Sequence, residues 1–425
     1  MTELLQRMLA KLDEPQARYT SLEAYYHGTQ PMAYLSPDAR TAIGNRFGRM
    51  ATNLPRLAVT ALAERLRITG VAGGPQLWAD WIANDLDQLA GVAHREALTL
   101  GSCPVIVWAD AQGNPQVSVE SATQVAVLRD PATREVVAAV KRWEDDRATH
   151  ATLFTPTAVT RYSSNTPGAT TTGFTITGMV RNPYGVVPVV ELRNSDRLLG
   201  PGASELDDLV PLVDALNKSL ADLMVTSEFY ARPRRWAVGV EPAEVIDEST
   251  GDVSVVNPFP DSDRMMLSES PETKFGQLPG ADLGAYEASV RVLLGQVMAV
   301  SALPAHYVGV LADQPASADA LRAAEASLTA RAESRQQMFG RAWEKVAALM
   351  VATRTGADPR STTTTIKWAD AATRSVAQEA DAVVKLVQAG ILPRSHALRK
   401  LGYTDEQITA ITNELTTTNP TGNTN

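Results

Sequence analysis

SADALRAAEASLTARAESRQQMFGRAWEKVAALMV, residues 317–351, is the longest helical pattern in the chain. Leu321, Ala324, Leu328, Phe339, Ala342, Val346 and Leu349 recur at helical spacing, and Arg335 breaks the apolar stripe. At 1.5 Å per residue the helix spans about 50 Å, more than one compact core needs. Immediately upstream, Val292 to Ala312 (VLLGQVMAVSALPAHYVGVLA) carries no Asp, Glu, Lys or Arg. It is close to membrane-spanning length, but Gln296, Ser301, Pro304, His306 and Gly309 interrupt it. The stretch therefore reads as a buried helix, from about Tyr286 to Ser301–Leu303, followed by an uncharged loop, and no membrane partner is expected.

Further upstream, Ser204 with Asp207 forms a capping-box-like start. Leu206, Leu209, Val213, Leu216, Leu220 and Leu223 follow at spacings of three and four, a narrow apolar seam suited to helix pairing. Pro211 is expected to bend the start of this helix, which runs to about Tyr230. Between the two helices, residues 231–285 form an insert of short strands and turns with ten acidic against five basic side chains, so it holds five of the nine net negative charges.

The first 190 residues read as helices leading into antiparallel strands. One helix is expected over Asp38–Arg67, kinked at Pro55, and another over Gln76–Leu100, stopped by Gly101. Strands follow at Pro104–Trp108, Gln116–Val119, Val125–Arg129, Val136–Trp143, Thr152–Phe154, Val159–Tyr162 and Phe174–Thr177. Beyond Trp368 a helix carries Val376, Ala380, Val383 and Val387 on one face and stops at Gly390. Short helices end near Leu415, and 416–425 is expected to be disordered.

The 425 residues allow about three folded units. With 27 Gly and 25 Pro, a collagen-like or wholly disordered chain is excluded. A single cysteine, Cys103, closes no disulfide within the chain and builds no multi-thiolate zinc site, which favours an intracellular setting. Residues 1–14 lack the basic start and apolar run of a signal peptide. The net charge of -9 opposes tight non-specific binding of nucleic acid.

Catalytic signatures are weak. His27, His94, His150, His306 and His396 are scattered, and His94-Arg-Glu96 resembles part of a zinc deaminase motif without the required cysteine pair. No phosphate loop or dinucleotide fingerprint occurs. Asp261 and Asp263 with Glu272 and Lys274 imitate the acid–acid–lysine cluster of metal-dependent nucleases, although a solvated loop accounts for the same residues more simply. Cys103 reads as a small buried hydrophobe. Arg232, Arg234 and Arg235, beside Trp236, are candidates for phosphate contact or for ion pairs with the acidic insert. No catalytic residue, metal or cofactor is assigned.

Tyr25-Tyr-His-Gly28, Val187-Pro-Val-Val-Glu-Leu-Arg-Asn194, Gly202-Ala-Ser-Glu-Leu206 leading to Asp214-Ala-Leu-Asn217, Pro315-Ala-Ser-Ala-Asp-Ala-Leu321, Trp368-Ala-Asp370 and Leu401-Gly402 together resemble the portal proteins of tailed bacteriophages. The likeness is specifically to the branch typical of long-tailed phages of Gram-positive, including actinobacterial, hosts. The resemblance covers nearly the whole chain and rests on the order and spacing of these motifs.

It implies an α+β portal fold: a wing (1–203), stem helices (204–230 and 286–301), a small α/β clip (231–285), a tunnel loop (302–316), a long spine helix (317–352), a helical crown (353–415) and a disordered tail (416–425). It further implies a non-enzymatic, twelve-fold homo-oligomeric ring at the capsid vertex of the virion, assembled in the host cytoplasm. Its partners would be the terminase large subunit, the head–tail adaptor, major capsid and scaffolding proteins, and double-stranded DNA passing through. His306, Tyr307, Val308, Gly309 and Val310 would lie nearest the DNA, and Asp247, Glu248 and Asp252 of the clip would dock partners. An acidic or neutral channel wall suits a polyanion that must slide.

Overall fold

The computed structural model describes residues 2–34, 51–74, 76–231, 235–240, 243–246, 253–256, 271–277, 283–309, 318–372, 376–401 and 408–413. The chain starts with α1 (Thr2–Asp13) and α2 (Gln16–His27), then α3 (Leu54–Ala63), β1 (Ile68–Ala72), α4 (Leu77–Ala83) and α5 (Leu86–Leu100).

Two expected helices differ from their sequence reading. Asp38–Arg67 is described only from residue 51, where Pro55 lies in the first turn of α3 and opens the helix rather than kinking it. Gln76–Leu100 is two helices, because Asp85 takes a left-handed conformation (φ 54°) between α4 and α5. Asn84 gives the reason for the break. Its amide donates to the Asp80 and Pro115 carbonyls at 2.8 and 2.9 Å and accepts from the Val117 amide at 2.8 Å. The side chain thus satisfies the outer edge of a neighbouring strand. Trp81 and Leu86 are buried, whereas Ile82 and Val92 are exposed.

Eight of the described strands form two sheets in the N-terminal region. β2 (Ser102–Ala109) lies between β3 (Pro115–Val119) and β9 (Val189–Arg193). β4 (Val125–Arg129), β5 (Val136–Glu144), β6 (Thr149–Phe154), β7 (Ala158–Ser164) and β8 (Thr175–Arg181) form an antiparallel five-stranded sheet in sequence order. Alternation assigns its two faces. Ala138, Val140, Ala151, Leu153 and Tyr162 pack on Leu5, Met8, Leu9 and Leu12 of α1, while Val125, Val127, Ala139, Phe154 and Val159 pack on Ile106, Val187 and Val189. β1 and β9 escaped the sequence reading.

After α6 (Val210–Ala231) come β10 (Arg235–Val238), β11 (Ala243–Ile246), β12 (Val253–Val256) and β13 (Lys274–Gln277), which pair β10 with β13 and β11 with β12, both antiparallel. The described part of the acidic insert is thus a nested pair of ribbons. α7 (Gly284–Ser301) returns beside α6. The helix expected to be buried is largely exposed: Val297 and Ser301 are its buried residues, and Val292 is 64% exposed.

α8 (Ala318–Thr355) has 38 residues, about 57 Å. Its stripe is buried only from Leu328 onward, against β2, β3 and β9, whereas Leu321 and Ala324 are exposed. β14 (Thr365–Trp368) then pairs antiparallel with β1, joining the segment after α8 to the segment after α3. α9 (Val376–Gln388), α10 (Arg394–Lys400) and a helical turn at 408–413 complete it. The 416–425 tail lies outside the described residues.

The main core is centred on His94, which is fully buried, stacked on Phe339 at 5.4 Å and flanked by Trp343 and Trp368. Nε2 accepts a 2.8 Å hydrogen bond from the Trp343 indole. Accepting that bond requires neutral imidazole, and burial lowers the pKa from 6.5 to about 3, opposed in part by the Leu66 backbone. The residue is thus core packing, not half of a deaminase site. Cys103 is likewise buried, its thiol donates to the Glu120 carbonyl at 3.3 Å, and burial raises its pKa.

The unfolded chain protonates His94 below pH 6.5 whereas the folded chain resists down to about pH 3. Stability is therefore complete above pH 6.5 and falls as pH drops through that window. His94→Gln keeps an acceptor for Trp343 and removes the titration. It should be less stable than wild type at pH 8, and urea unfolding should show the gap narrowing by about 2 kcal/mol by pH 5.

Candidate functional site: the junction of α6, α7 and α8

The chain passes from the strand region into α6 through a backbone crossing. Gly101 (φ 94°) ends α5 where it touches Gly202; a Cβ on Gly101 would lie 2.6 Å from the Gly202 carbonyl carbon and oxygen, and one on Gly202 would collide with the Gly101 carbonyl. The crossing is laced by backbone bonds: Asn194 N–H to Gly101 O, Ala203 N–H to Asn194 O, and Glu205 N–H to Leu98 O, at 2.9, 2.7 and 2.9 Å. Ser204 donates from Oγ to the Thr99 carbonyl at 2.5 Å and accepts from the Leu206 amide at 3.0 Å, while Asp207 accepts from the Ser204 amide at 2.8 Å. The cap motif thus works locally, although regular helix starts only at Val210, with Pro211 in its first turn where no amide partner is lost.

Glu205 follows this crossing and faces the long helix. Its carboxylate, only 9% exposed, accepts from Arg335 Nε and Nη2 at 3.1 and 2.7 Å, from Arg331 Nη1 at 3.4 Å, and from the Asn194 amide at 3.1 Å. Arg331 also donates to the Val300 carbonyl at 3.0 Å, in the last turn of α7. One carboxylate thereby joins the start of α6, the end of α7 and the middle of α8. Arg335 interrupts the apolar stripe because its position faces this acid.

The sequence motifs converge on the same place. Tyr25 donates its hydroxyl to Asp214 at 2.8 Å; burial and the Asp214 carboxylate both raise its pKa. Asn217 accepts from the backbone and side chain of Thr52, each at 2.9 Å, and Arg18 pairs with Asp207 at 2.6 Å. Leu206, Leu209, Val213 and Leu216 of the seam are buried, whereas Leu220 and Leu223 farther along are half-exposed.

The uncharged loop leaves α7 at Ala302, which is left-handed (φ 58°), and makes a 3-10 turn over Ala305–Val308 that ends at Gly309 (φ 76°). His306 and Tyr307 stack at 4.9 Å. Both are held from below: His306 Nε2 lies 3.4 Å from Glu325 Oε1, and the Tyr307 hydroxyl lies 3.5 Å from Arg65. Arg65 is buried, and its guanidinium is satisfied by Glu325 at 3.1 Å and the Ala371 carbonyl at 2.7 Å, with Thr329 at 3.5 Å. Gln336 clamps the same region by donating to the Arg65 and Ala369 carbonyls, both at 3.0 Å. The first part of the loop is thus fastened to α8 and to the segment after β14.

His306, Tyr307, Val308 and Gly309 therefore sit together, and Val310 lies outside the described residues. Arg232 and Arg234 also lie outside them, as do Asp247, Glu248, Asp252, Asp261 and Asp263; Arg235 begins β10, exposed. Of the nuclease-like set, Glu272 and Lys274 are exposed beside a ribbon, and no group of three metal-capable His, Cys, Asp or Glu side chains occurs among the described residues. No described helix is long and apolar enough to cross a membrane. Glu205, Arg65 and Glu325 carry the site but were not singled out as partners from sequence; Arg331 and Arg335, four apart beside an apolar stripe, were the available signal.

Residues 6–421 match the family model described as phage portal protein, SPP1 Gp6-like. A portal protein of Mycobacterium phage L5 is 31% identical over 375 residues, covering 82% of this chain and 75% of that protein. One of Mycobacterium phage D29 is 29% identical over 378 residues, with the same coverages of 82% and 75%. Among solved structures, a chain of the native gene transfer agent virion aligns with a TM-score of 0.49 at 15% identity, over 92% of this chain and 99% of that one. A chain of the native particle's neck, computed with C12 symmetry, aligns at 0.47 and 14% identity over 91% and 99%. At these scores the structural likeness carries no argument, and the sequence matches decide.

Gly202→Ala should cost at least about 3 kcal/mol or abolish soluble expression, because a carbonyl and not a pliable side chain occupies the space. Gly200→Ala, whose Cβ would meet only Arg197 Cβ at 3.8 Å, should change stability little. Thermal unfolding of the pair checks this, and equal behaviour would contradict the crossing.

Proposed function

The chain belongs to the phage portal proteins, SPP1 Gp6-like, structural components of the capsid and not enzymes, and from that premise we propose that it forms a ring that conducts double-stranded DNA at the capsid vertex. The observation that carries this reading is the distribution of apolar surface on the stem. α6 and α7 bury one side against each other and the core, yet Met224 on α6 and Val292 on α7 are 46% and 64% exposed, as is Leu321 at the start of α8, at 38%. A second copy placed beside the first supplies the cover that the protomer lacks. Twelve copies in the virion is the expected number.

In this assignment residues 1–203 are the wing, 204–230 and 286–301 the stem, 231–285 the clip, 302–316 the tunnel loop, 317–352 the spine helix and 353–415 the crown. The clip would meet the terminase large subunit and later the head–tail adaptor, with Asp247, Glu248 and Asp252 as contact candidates. Arg232, Arg234 and Arg235 would touch phosphate. The wing would face the major capsid and scaffolding proteins, and assembly would take place in the host cytoplasm. The loop from His306 to Val310 would approach the DNA, tethered by Arg65 and Glu325 so that it keeps its position as the polyanion moves. Five of nine net negative charges lie in residues 231–285, and the run from Val292 to Ala312, which includes His306–Val310, carries no Asp, Glu, Lys or Arg, so phosphates would find little to grip.

Native mass spectrometry and negative-stain imaging of the purified chain should show closed rings. Val292→Asp should leave the circular dichroism spectrum of the protomer unchanged while reducing ring formation. A stable monomer with no ring at any salt concentration would overturn the reading.

A further inference from the structure

The two edges of the five-stranded sheet are finished differently. β4 is covered by α1 and approached by β2, and Val125, Ala126 and Val127 are buried. β8 pairs only with β7 among the described residues, and six of its seven positions are exposed. Ile176, Met179 and Val180 are 58%, 55% and 52% exposed. The strand (TITGMVR) has high strand propensity and carries no Pro, Lys or acidic residue; one bulge opposite Arg161–Tyr162 is its only irregularity. A long apolar edge finished this way is a template for a further strand.

The charges select what could add. Across the sheet, Lys141, Thr152, Arg161 and Gly178 lie in one row. Lys141 is neutralised by Glu120 at 2.5 Å. Arg161 and Arg181 are exposed and meet no carboxylate among the described residues, although the chain as a whole is acidic. A Cβ at Gly178 would have nothing within 4 Å, so the space between Arg161 and any strand added outside β8 is open. An incoming residue opposite Gly178 would therefore lie in line with the Arg161 guanidinium, with apolar neighbours meeting Val180 on one face and Met179 and Ile176 on the other.

We propose that β8 is a docking edge for an extended segment of another protein, apolar on either side of an acidic residue that pairs with Arg161 across Gly178. Backbone bonds to β8 would hold the segment, and the arginine would set its register.

The test uses the full chain and fluorescein-labelled Thr/Val peptides that differ at one central residue, Asp or Lys. Fluorescence anisotropy should give at least about fivefold tighter binding of the Asp peptide, and Arg161→Glu should reverse the preference. An Asp peptide with alternate amides N-methylated should not bind. Equal affinity for the two peptides, no binding of either, or undiminished binding of the methylated one would overturn the proposal. A second copy is the competing occupant: Cys103 is buried and is the sole cysteine, so Thr177→Cys supplies the accessible thiol, and its quantitative disulfide dimerisation would also overturn the proposal.

Discussion

A carboxylate withdrawn from water must be paired, and Glu205 meets that demand from three directions at once. Removing an acid from solvent costs several kcal/mol unless close cations and hydrogen bonds replace hydration. Arg335 and Arg331 are available only if α8 lies across the base of the stem, and Arg331 reaches Val300 only if α7 ends there. The same acid takes the Asn194 amide, which ties it to the end of the strand region. One charge thus sets the relative position of elements separated by more than a hundred residues, where apolar packing alone would tolerate sliding.

Below this point the molecule is rigid for ordinary reasons. The Gly101–Gly202 crossing leaves no room for side chains, and the His94 cluster fills the centre with rings. Beyond it α6 and α8 become under-packed: the seam is buried as far as Leu216, then Leu220 and Leu223 are half-exposed, and Leu321 begins α8 in the open. The ionic base and apolar outer surface divide the work. The base orients α6 and α7 against α8, and in the proposed ring the apolar surface would meet neighbouring copies. Arg65 and Glu325 repeat the device one layer away, fastening the loop that carries His306 and Tyr307 to the helix that the loop precedes.

Much of this was legible in sequence because periodicity reports burial. The five-stranded sheet was found strand by strand, and α6, α7 and α8 were placed within a few residues. What failed was long-range. Asn84 breaks a good helical pattern because it serves β3, thirty-odd residues away, and no local signal carries that information. β1 and β14 are short strands far apart in the chain, each meaningful only beside the other. α7 looked buried because it is apolar, although Val297 and Ser301 are its buried residues and Val292 is exposed. The ion pairs were invisible for the same reason: Arg335 was recognisable as an interruption, but its acid lies 130 positions earlier. The family resemblance filled in what spacing could not, and its motifs proved to be neighbours in space, Tyr25 against Asp214 and Asn194 against Glu205.

The dependence of the stem on one carboxylate is open to direct measurement by a double-mutant cycle on Glu205 and Arg335, using Glu205→Gln, Arg335→Met and the double variant in urea unfolding. If the pair holds the base together, each single change should be strongly destabilising, and the double variant should recover at least about 1.5 kcal/mol relative to their sum. Effects that add within about 0.5 kcal/mol would mean that the two side chains are merely adjacent, and that packing alone positions the stem.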